Sequence, residues 1–389
     1  MKKFLSLLLT SLMVFSMIGA LNVHAAAGGF TVSGTKLLDA NGNEFVMRGI
    51  NHAHTWFKDQ TAALIPVLAK DGCNVVRIVL SNGDKWNLDD VDSVKKIISL
   101  CEQNKMITVL EVHDALGVDD VAPLLSAANY FVKIKDALIG KEGTVIVNIA
   151  NEWVGSSNTS VWATGYKQAI PIIRNAGIKN TIMVDAGGWG QNGQCIIDNG
   201  QSVLAADTLK NTMFSIHMYS SAGKDATTIK NYIDGVLNKG LCLVIGEFGF
   251  KDTYGDVDEA TILNYCQQKN VGWMAWSWKG NSGGVEFLDL SNDWAGTSLS
   301  DWGNTVINGT NGLKQTSKIC TVFSSTPVVT TGDIDGNGKV NSTDLSLLKR
   351  HILSISTLPD IKVGDLDGDG KITSKDYSML KRIILGTAS

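Results

Sequence analysis

The sequence lacks an excess of positive charge, and it has only one hydrophobic run long enough to cross a membrane. Its 389 residues include 34 Lys and Arg against 38 Asp and Glu, a formal net charge of −4. No segment is rich in Lys and Arg, which excludes the basic surface that nucleic-acid binding needs. After the amino-terminal run, no second stretch has the length of a membrane span. The partner is therefore expected to be neutral or not selected by charge.

Cysteine is also scarce, at six residues. Four of them lie within apolar strand-like or helix-like stretches: Cys73, Cys101, Cys242 and Cys266. A thiol in such a stretch behaves as a small hydrophobic group, and a chain with 44% hydrophobic residues buries a core without disulfides. We expect these four to be buried free thiols, whereas Cys195 and Cys320 lie in less regular segments and could be exceptions.

The amino terminus has the pattern of a secretory signal peptide. Met1-Lys2-Lys3 is positively charged, the stretch from Phe4 to Leu21 is mostly apolar, and Val23-His24-Ala25 offers small residues for cleavage. The pattern predicts a signal over residues 1–27, cut after Ala25 or Ala27, and therefore a secreted, extracellular protein. The alternative, an uncleaved membrane anchor, is disfavoured by four Ser and Thr within the stretch.

Two apolar segments run directly into a glutamate. They are Val145-Ile-Val-Asn-Ile-Ala-Asn151-Glu152-Trp153 and Leu241-Cys-Leu-Val-Ile-Gly-Glu247-Phe248. Short runs rich in Val and Ile are typical of strands buried on both faces, and α/β folds place their chemistry at the carboxyl ends of such strands. A single glutamate there is more often an ordinary loop residue. Two that converge on one cleft are what glycoside hydrolysis needs, one protonated and one ionised.

Residues 28–322 alternate strand-like runs with helical patterns, which predicts an α/β fold, a (β/α)8 TIM barrel. One predicted helix covers Asp89–Ile98, and a hairpin over Phe30–Leu38 is expected to close the amino-terminal mouth of the barrel. The eight runs are Phe45–Ile50, Asn74–Leu80, Met106–His113, Val145–Glu152, Thr181–Ala186, Thr212–His217, Leu241–Glu247 and Gly272–Trp276.

Polar and aromatic residues gather at the carboxyl ends of these runs, the face that builds the active site of such a barrel. Tryptophans beside carboxylates suit a sugar, which offers an apolar face for stacking and a rim of hydroxyls for hydrogen bonds. The residues are His52, His54, Trp56, Arg77, His113, Asn151, Glu152, Trp189, Gln191, His217, Tyr219, Glu247, Trp276 and Trp278.

This set resembles the signature of glycoside hydrolase family 5, and the surrounding segments are similar to bacterial endo-β-1,4-mannanases of that family. The resemblance covers nearly all of residues 28–322. The segments that carry it are Arg48-Gly-Ile-Asn-His52, Gly188-Trp-Gly-Gln191, Asn211-Thr-Met-Phe-Ser-Ile-His-Met-Tyr219, Val244-Ile-Gly-Glu-Phe-Gly249 and Trp273-Met-Ala-Trp-Ser-Trp-Lys-Gly-Asn281.

The resemblance implies a retaining mechanism with Glu152 as acid/base and Glu247 as nucleophile. It further implies that Asn151 holds the 2-hydroxyl of the sugar, that Tyr219 and Arg77 support Glu247, and that His217 tunes Glu152. The remaining implied sugar-binding residues are His113, Trp276, Trp189 and Gln191, with His52 and Trp56 further along the cleft.

A second region follows a short linker over residues 323–331. It contains an internal duplication, whose two copies begin 32 residues apart, at Asp333 and Asp365. Each copy has oxygen ligands and glycine at the spacing of an EF-hand calcium loop, so we expect two Ca²⁺ ions. An acidic, turn-rich tail that binds nothing is the alternative. The predicted ligands are Asp333, Asp335, Asn337, Lys339, Asn341 and Asp344 in the first loop, and Asp365, Asp367, Asp369, Lys371, Thr373 and Asp376 in the second.

Each loop leads into an apolar helix, Leu345–Ile352 or Tyr377–Leu385, with no helix expected before it. Residues 332–389 therefore resemble a type I dockerin, a small all-α module that binds a cohesin of a cellulosome scaffold. The copies differ at Ser342-Thr343 against Ser374-Lys375, so equal use of both copies is not implied.

The predicted function is secreted endo-β-1,4-mannanase on a cellulosome, with no cofactor needed for hydrolysis and no membrane contact of the mature protein. An endo-β-1,4-glucanase or xylanase on the same barrel remains open, because a fold does not determine a substrate. An inactive carbohydrate-binding barrel is disfavoured by the two intact carboxylates. A calcium-dependent structural or adhesive protein would explain the tail but not the cleft.

Overall fold

The computed structural model describes residues 28–156, 158–324, 331–335, 340–358 and 361–386. The predicted signal peptide, most of the predicted linker, and the ligands Asn337 and Lys339 lie outside these residues. Over the ranges described, no helix combines the length and the apolar character that a bilayer crossing requires.

Eight parallel strands close into a barrel, which confirms the predicted fold class. They follow a small antiparallel hairpin of β1 (Thr31–Ser33) and β2 (Lys36–Leu38). Every residue of the barrel strands is buried, because helices cover the outside and side chains fill the inside. The strands are β3 (Arg48–His52), β4 (Val75–Leu80), β5 (Ile107–Val112), β6 (Val145–Asn148), β7 (Ile182–Asp185), β8 (Thr212–Met218), β9 (Leu243–Phe248) and β10 (Gly272–Ala275).

Helices follow the barrel strands and pack their apolar faces on them. Side-chain caps set several starts: Asp90 accepts a hydrogen bond from Ser93 N, so the helix predicted at Asp89–Ile98 begins at Val91. The helices of this domain are α1 (Thr61–Lys70), α2 (Val91–Gln103), α3 (Val121–Lys133), α4 (Thr159–Asn175), α5 (Gly193–Ala206), α6 (Ala226–Asn238), α7 (Glu259–Lys269), α8 (Asp301–Asn308) and α9 (Leu313–Thr316).

The hairpin closes the amino-terminal mouth of the barrel, as predicted. Phe30 and Leu37 pack in one buried cluster with inward-facing strand residues such as Ile107. Phe323, which the prediction placed in the linker, is only 3% exposed and belongs to the same cluster. The packed barrel domain therefore extends at least one residue beyond the predicted boundary.

All six cysteines are buried free thiols. This outcome was expected for four of them. Cys195 and Cys320 behave the same way: Cys195 Sγ accepts a hydrogen bond from Gly187 N at 3.2 Å, and Cys320 packs in the cluster below the barrel. Burial raises the pKa of both thiols to about 12, which leaves them protonated and unreactive at neutral pH.

A bulge between β8 and β9 aligns two residues of the predicted site. The pairing shifts after Ile216, so that His217 lies opposite Glu247 and Gly246 has no partner residue. A Cβ at Gly246 would come within 2.2 Å of Ser215 Oγ, so only glycine fits this close approach. The irregularity thus brings the ends of two adjacent strands to the same point.

The second region contains α10 (Ser342–Ile352) and α11 (Ser374–Ile384), each starting three residues before the predicted helix. The earlier starts have a local cause: Asn341 with Asp344, and Thr373 with Asp376, form capping boxes. A three-residue 3-10 turn, Ile361–Val363, lies just before the second loop.

Candidate active site

Most of the predicted site residues line one cavity of about 640 Å³ at the carboxyl ends of the barrel strands. Both glutamates belong to it, together with aromatic and amide side chains from the loops. The predicted residues that line this cavity are His113, Asn151, Glu152, Trp189, Gln191, Tyr219, Glu247 and Trp276.

Arg77 on β4 organises the floor of the cavity without reaching solvent. Its side chain is fully buried, and all five of its N–H donors are used. Burial alone would lower the pKa of Arg77, but the surrounding carboxylates raise it, so the guanidinium stays charged. The five acceptors, at 2.7 to 3.2 Å, are Asn51 Oδ1, Asn148 Oδ1, Asn151 Oδ1, Asp185 Oδ2 and Glu247 Oε1.

Glu247 near the end of β9 accepts two strong hydrogen bonds. Arg77 Nη1 donates to its Oε1 at 2.7 Å, and the Tyr219 hydroxyl donates to its Oε2 at 2.9 Å. Burial raises the pKa of this carboxyl, while the positive charge of Arg77 acts against that rise. Both donors favour the ionised form.

Glu152 lies just beyond β6 in a different environment. Its backbone has a φ of +46°, and its N–H donates to Asp185 Oδ2 at 3.2 Å, which holds the turn that aims the side chain into the cavity. The carboxyl contacts His217 Nδ1 at 2.6 Å. Burial raises the pKa of Glu152 to about 8, so this carboxyl is protonated at neutral pH.

His217 lies between the two carboxyls. Its Nδ1 is 2.6 Å from Glu152 Oε1 and 3.7 Å from Glu247 Oε2. Burial lowers the pKa of His217, so the ring is neutral near pH 7. Gly190 makes room for the ring, because a Cβ there would come within 2.6 Å of it, and the positive φ of Gly190 (+70°) also favours glycine.

Asn151 has a defined amide orientation. Its Oδ1 accepts from Arg77 Nη2 at 2.8 Å, so its Nδ2 is the group left to donate into the cavity. His113 lies beside it, with Nε2 at 3.5 Å from that Nδ2. Burial would lower the pKa of His113, but the Glu111 carboxylate, 2.9 Å from Nδ1, produces a net rise.

Aromatic rings continue from this point along one side of the cleft. Trp276 stacks with His113 at 6.2 Å between ring centroids, and Trp56 meets the same His113 edge to face at 5.2 Å. Trp56 is 39% exposed and does not line the cavity itself. Trp86, which the prediction did not include, lies against Trp56 and extends the aromatic row.

Trp189 and Gln191 lie on the loop after β7. The Trp189 ring covers Gly117, where a Cβ would come within 2.2 Å of it, and still leaves 47% of the residue exposed to the cavity and solvent. Gln191 Oε1 accepts hydrogen bonds from Ser221 N and Ala222 N. Gln191 therefore fixes the neighbouring loop and presents its amide nitrogen to the cavity.

His52 does not reach the cleft, which corrects the prediction for this residue. Neighbouring residues of a strand point to opposite faces: Asn51 points into the barrel and His52 points out towards α1. The His52 ring is completely buried, and its Nε2 lies 2.7 Å from Thr61 Oγ1. The predicted residues Arg77 and His217 are likewise buried, and they act on the glutamates from below.

Asp185 at the end of β7 is the main functional residue that the prediction missed. Its Oδ2 lies 3.2 Å from Arg77 Nη2 and 3.4 Å from His217 Nε2, in addition to the bond from Glu152 N. The signal was available, since Asp185 ends the apolar run Thr181-Ile-Met-Val-Asp as Glu152 and Glu247 end their own runs. Tyr254, which also lines the cavity, follows no strand directly and carried no such signal.

The two duplicated loops fit Ca²⁺. In each, three carboxylates bring one oxygen apiece within 4.8 Å of one another: Asp333, Asp335 and Asp344, or Asp365, Asp367 and Asp376. Three like charges this close repel one another, and a hard cation with oxygen ligands would relieve the repulsion. The last aspartate of each set also accepts backbone hydrogen bonds, which fix its position.

A closed parallel barrel whose carboxyl face holds one buried and one mostly buried glutamate in contrasting environments is typical of a glycoside hydrolase of the (β/α)8 type. Residues 38–282 match the family described as Cellulase (glycosyl hydrolase family 5), and residues 331–385 match the dockerin type I domain. The chain belongs to glycosyl hydrolase family 5 and carries a dockerin type I domain, a kind of domain that binds calcium.

Three similar proteins each match about three quarters of this chain. The "Mannan endo-1,4-beta-mannosidase" of Salipaludibacillus agaradhaerens is 57% identical over 295 residues, which are 76% of this chain and 96% of that protein. The protein of the same name from Cellvibrio japonicus is 41% identical over 303 residues, 77% of this chain and 70% of that protein. The crystal structure of β-mannanase from Streptomyces thermolilacinus with mannohexaose superposes with a TM-score of 0.73 at 41% sequence identity. The match covers 76% of this chain and 99% of that chain.

Proposed function

We propose that the protein is a secreted, retaining endo-β-1,4-mannanase that hydrolyses internal bonds of mannan, galactomannan or glucomannan. The observation that carries the proposal is the closeness of the two glutamates, whose nearest carboxylate oxygens lie within 4.8 Å. Retaining enzymes hold their carboxyls at about 5–5.5 Å, whereas inverting enzymes need more room for a water. The mannan-specific names of the relatives support the substrate.

The mechanism has two displacements. Glu247 attacks the anomeric carbon, the bond from that carbon to the leaving oxygen breaks, and Glu152 gives its proton to that oxygen. In the second step Glu152, now ionised, takes a proton from a water molecule whose oxygen displaces Glu247. The pKa of about 8 for Glu152 supports the acid role, and the hydrogen bonds to Glu247 from Arg77 and Tyr219 support the nucleophile role.

The residues that hold the attacked sugar lie on one side of the site, and the leaving group lies on the opposite side. The Asn151 Nδ2 donates to its 2-hydroxyl, a bond whose orientation is set by Arg77. The Trp276 ring provides an apolar floor, and Trp56 and Trp86 extend this surface for sugars further from the cleaved bond. Fixing the sugar in this way places its anomeric carbon between the two carboxyls.

The second region docks the enzyme onto a scaffold. The dockerin match and the two carboxylate clusters support the binding of two Ca²⁺ ions and of a cohesin module of a cellulosome. Asp333, Asp335, Asp344, Asp365, Asp367 and Asp376 would hold the ions, which would brace a core of few apolar residues. Secretion is supported by the amino-terminal pattern at Met1-Lys2-Lys3 and the apolar run after it.

A second candidate is endo-β-1,4-glucanase activity on the same barrel. The family description is Cellulase, and a relative from Caldicellulosiruptor saccharolyticus, 39% identical over 78% of this chain but only 23% of its own length, is named "Beta-mannanase/endoglucanase A". The carboxyls of Glu152 and Glu247 could hydrolyse a bond to either sugar, because mannose and glucose differ only in the configuration of the 2-hydroxyl.

The test is release of reducing sugar from linear β-mannan, galactomannan, carboxymethylcellulose and xylan in parallel, with Glu247→Gln as the control. Cleavage of the mannans that disappears in the variant is the expected result. Activity confined to carboxymethylcellulose or xylan would keep the mechanism and overturn the substrate. Activity unchanged in Glu247→Gln would overturn the role of the nucleophile.

A further inference from the structure

A tyrosine on the loop after β9 lies at the rim of the active-site cavity. Tyr254 lines the same cavity as Glu152 and Glu247, yet 92% of its surface is exposed, the highest value among the large hydrophobic residues described. The mechanism above does not use it. An aromatic ring left in water beside a cleft is apolar surface that a ligand can cover.

The backbone beneath Tyr254 is held in one conformation. Asp252 Oδ1 accepts hydrogen bonds from the N–H groups of Tyr254 at 2.7 Å and Gly255 at 2.9 Å. The Asp252 N–H donates to Gly255 O, and an antiparallel bridge joins Lys251 to Asp256. The ring therefore projects from a fixed position, and a ligand that stacks on it would not need to order the loop.

Hydrogen bonds join this loop to its neighbours in a continuous wall. Ser220, after β8, donates through both N–H and Oγ to Asp252 Oδ2 at 3.0 and 2.6 Å. Gln191, after β7, accepts from Ser221 N and Ala222 N. We call the loops after β7, β8 and β9 the loop wall, and Tyr254 is its outermost aromatic residue.

The strand order places the loop wall on the leaving-group side. Glu152 follows β6 and Glu247 lies near the end of β9, and a line between these two strands divides the ring. His113 and Trp276, which line the cavity and are proposed to bind the attacked sugar, follow β5 and β10 on one side. The strands on the other side are β7 and β8, and Glu152 Oε1 is turned to His217 of β8. The carboxyl that would protonate the leaving oxygen is thus held against the side of the ring that carries the wall.

We infer that Tyr254 is a stacking platform for the sugar units that leave, and so a specificity-determining residue for substrates that extend past the cleaved bond. The inference rests on the proposed function. Its physical basis is that a pyranose ring has an apolar face that an aromatic ring covers, a contact that does not depend on the tyrosine hydroxyl. The effect should therefore appear only when the leaving group is a sugar.

The test compares two substrates in the full chain: mannopentaose, whose leaving group is a sugar, and an aryl β-mannobioside, whose leaving group is a small phenol. Tyr254→Ala should lower kcat/KM for mannopentaose about three- to tenfold and leave kcat/KM for the aryl substrate unchanged. Tyr254→Phe should match the unaltered chain on both. The control is Ile139→Ala, which also truncates an exposed side chain but lies before β6, at the opposite end of the barrel. It should leave kcat/KM for both substrates unchanged.

Three results would overturn the inference: no effect of Tyr254→Ala on mannopentaose, an equal loss on both substrates, or a loss in Tyr254→Phe as large as in Tyr254→Ala. The second would show a general effect on the site, and the third would show that the hydroxyl acts rather than the ring. Failure of the proposed function is distinguishable, because the unaltered chain would then leave mannopentaose uncleaved.

Discussion

His217 Nδ1 lies 2.6 Å from Oε1 of Glu152. Because burial lowers the pKa of His217, the ring shares a hydrogen bond with Glu152 without carrying a full positive charge. Glu247 has the charged Arg77 guanidinium as its partner instead. Both glutamate side chains are largely enclosed, with 12% of Glu152 and 5% of Glu247 exposed, but they lie beside different partners. This difference supports the proposed roles of Glu152 as acid and Glu247 as nucleophile.

The first prediction concerns the alkaline limb of the pH profile. Glu152 must be protonated to act, and its pKa is raised to about 8, so kcat/KM for mannopentaose should persist to pH 7 and fall through about pH 8. A 2,4-dinitrophenyl β-mannobioside needs no proton on its leaving group, so its cleavage should lack this limb. An alkaline limb centred below pH 6, or the same limb with both substrates, would contradict the role of Glu152.

The second prediction assigns the two roles by chemical rescue. Glu152→Ala should lower kcat for mannopentaose by about 10²–10⁴-fold, and azide should restore cleavage of an activated aryl mannoside with a β-mannosyl azide as product. Azide with Glu247→Ala should give the α-mannosyl azide, since it then replaces the nucleophile. Product analysis by NMR decides, and products of the opposite configuration would reverse the assignment.

The third prediction tests Arg77. Arg77→Lys keeps a charge but cannot reach five acceptors, so the free energy of unfolding should fall by about 1–3 kcal/mol. Glu247 would also lose a donor to its ionised form, and the acidic limb of the pH profile should move to higher pH.

Arg174→Lys is the matched control. Arg174 pairs with Asp207 through two nitrogens, at 2.8 Å each, away from the cavity. This variant should lose stability in chemical denaturation without any movement of the acidic limb. A shift of equal size in both variants would remove the specific link between Arg77 and Glu247.

The fourth prediction is that the carboxyl of Glu152 lowers the stability of the folded protein. The folded-state pKa of Glu152 is about 8, above the ordinary value of 4.5, so the group destabilises the fold as pH rises above 4.5, with the full effect reached near pH 8. Glu152→Gln should therefore raise the melting temperature at pH 7 by about 2–4 °C and have no such effect at pH 4. Calorimetry at both pH values is the measurement, and a gain that is independent of pH would contradict the cause.

The fifth prediction separates the two regions by their need for metal. Removal of Ca²⁺ by a chelator should abolish binding to a cohesin, because the apolar core around Ile334, Leu348 and Leu380 is small. Mannan hydrolysis by the same sample should be unchanged. Asp344→Asn with Asp376→Asn should reproduce the effect without a chelator. Tight cohesin binding in excess chelator, measured by calorimetry, would contradict the prediction.

Local patterns predicted much of the barrel. The runs that end in Glu152 and Glu247 are strands, because Val and Ile buried on both faces occur in few other settings, and a polar residue after such a run lies at the carboxyl face. The same criterion would have found Asp185 had it been applied to every run. The calcium loops are equally local, since twelve consecutive residues supply their ligands.

The sequence by itself therefore determined the barrel, the proposed catalytic pair and the duplicated loops, all of which depend on neighbours along the chain. Only the tertiary structure decided which side chains face the cleft. His52 follows a strand as the prediction required, yet it points to α1, while Tyr254 lies far from any strand end in the prediction and still lines the cavity. Those positions depend on strand facing, on the bulge at His217 and on hydrogen bonds between loops distant in sequence.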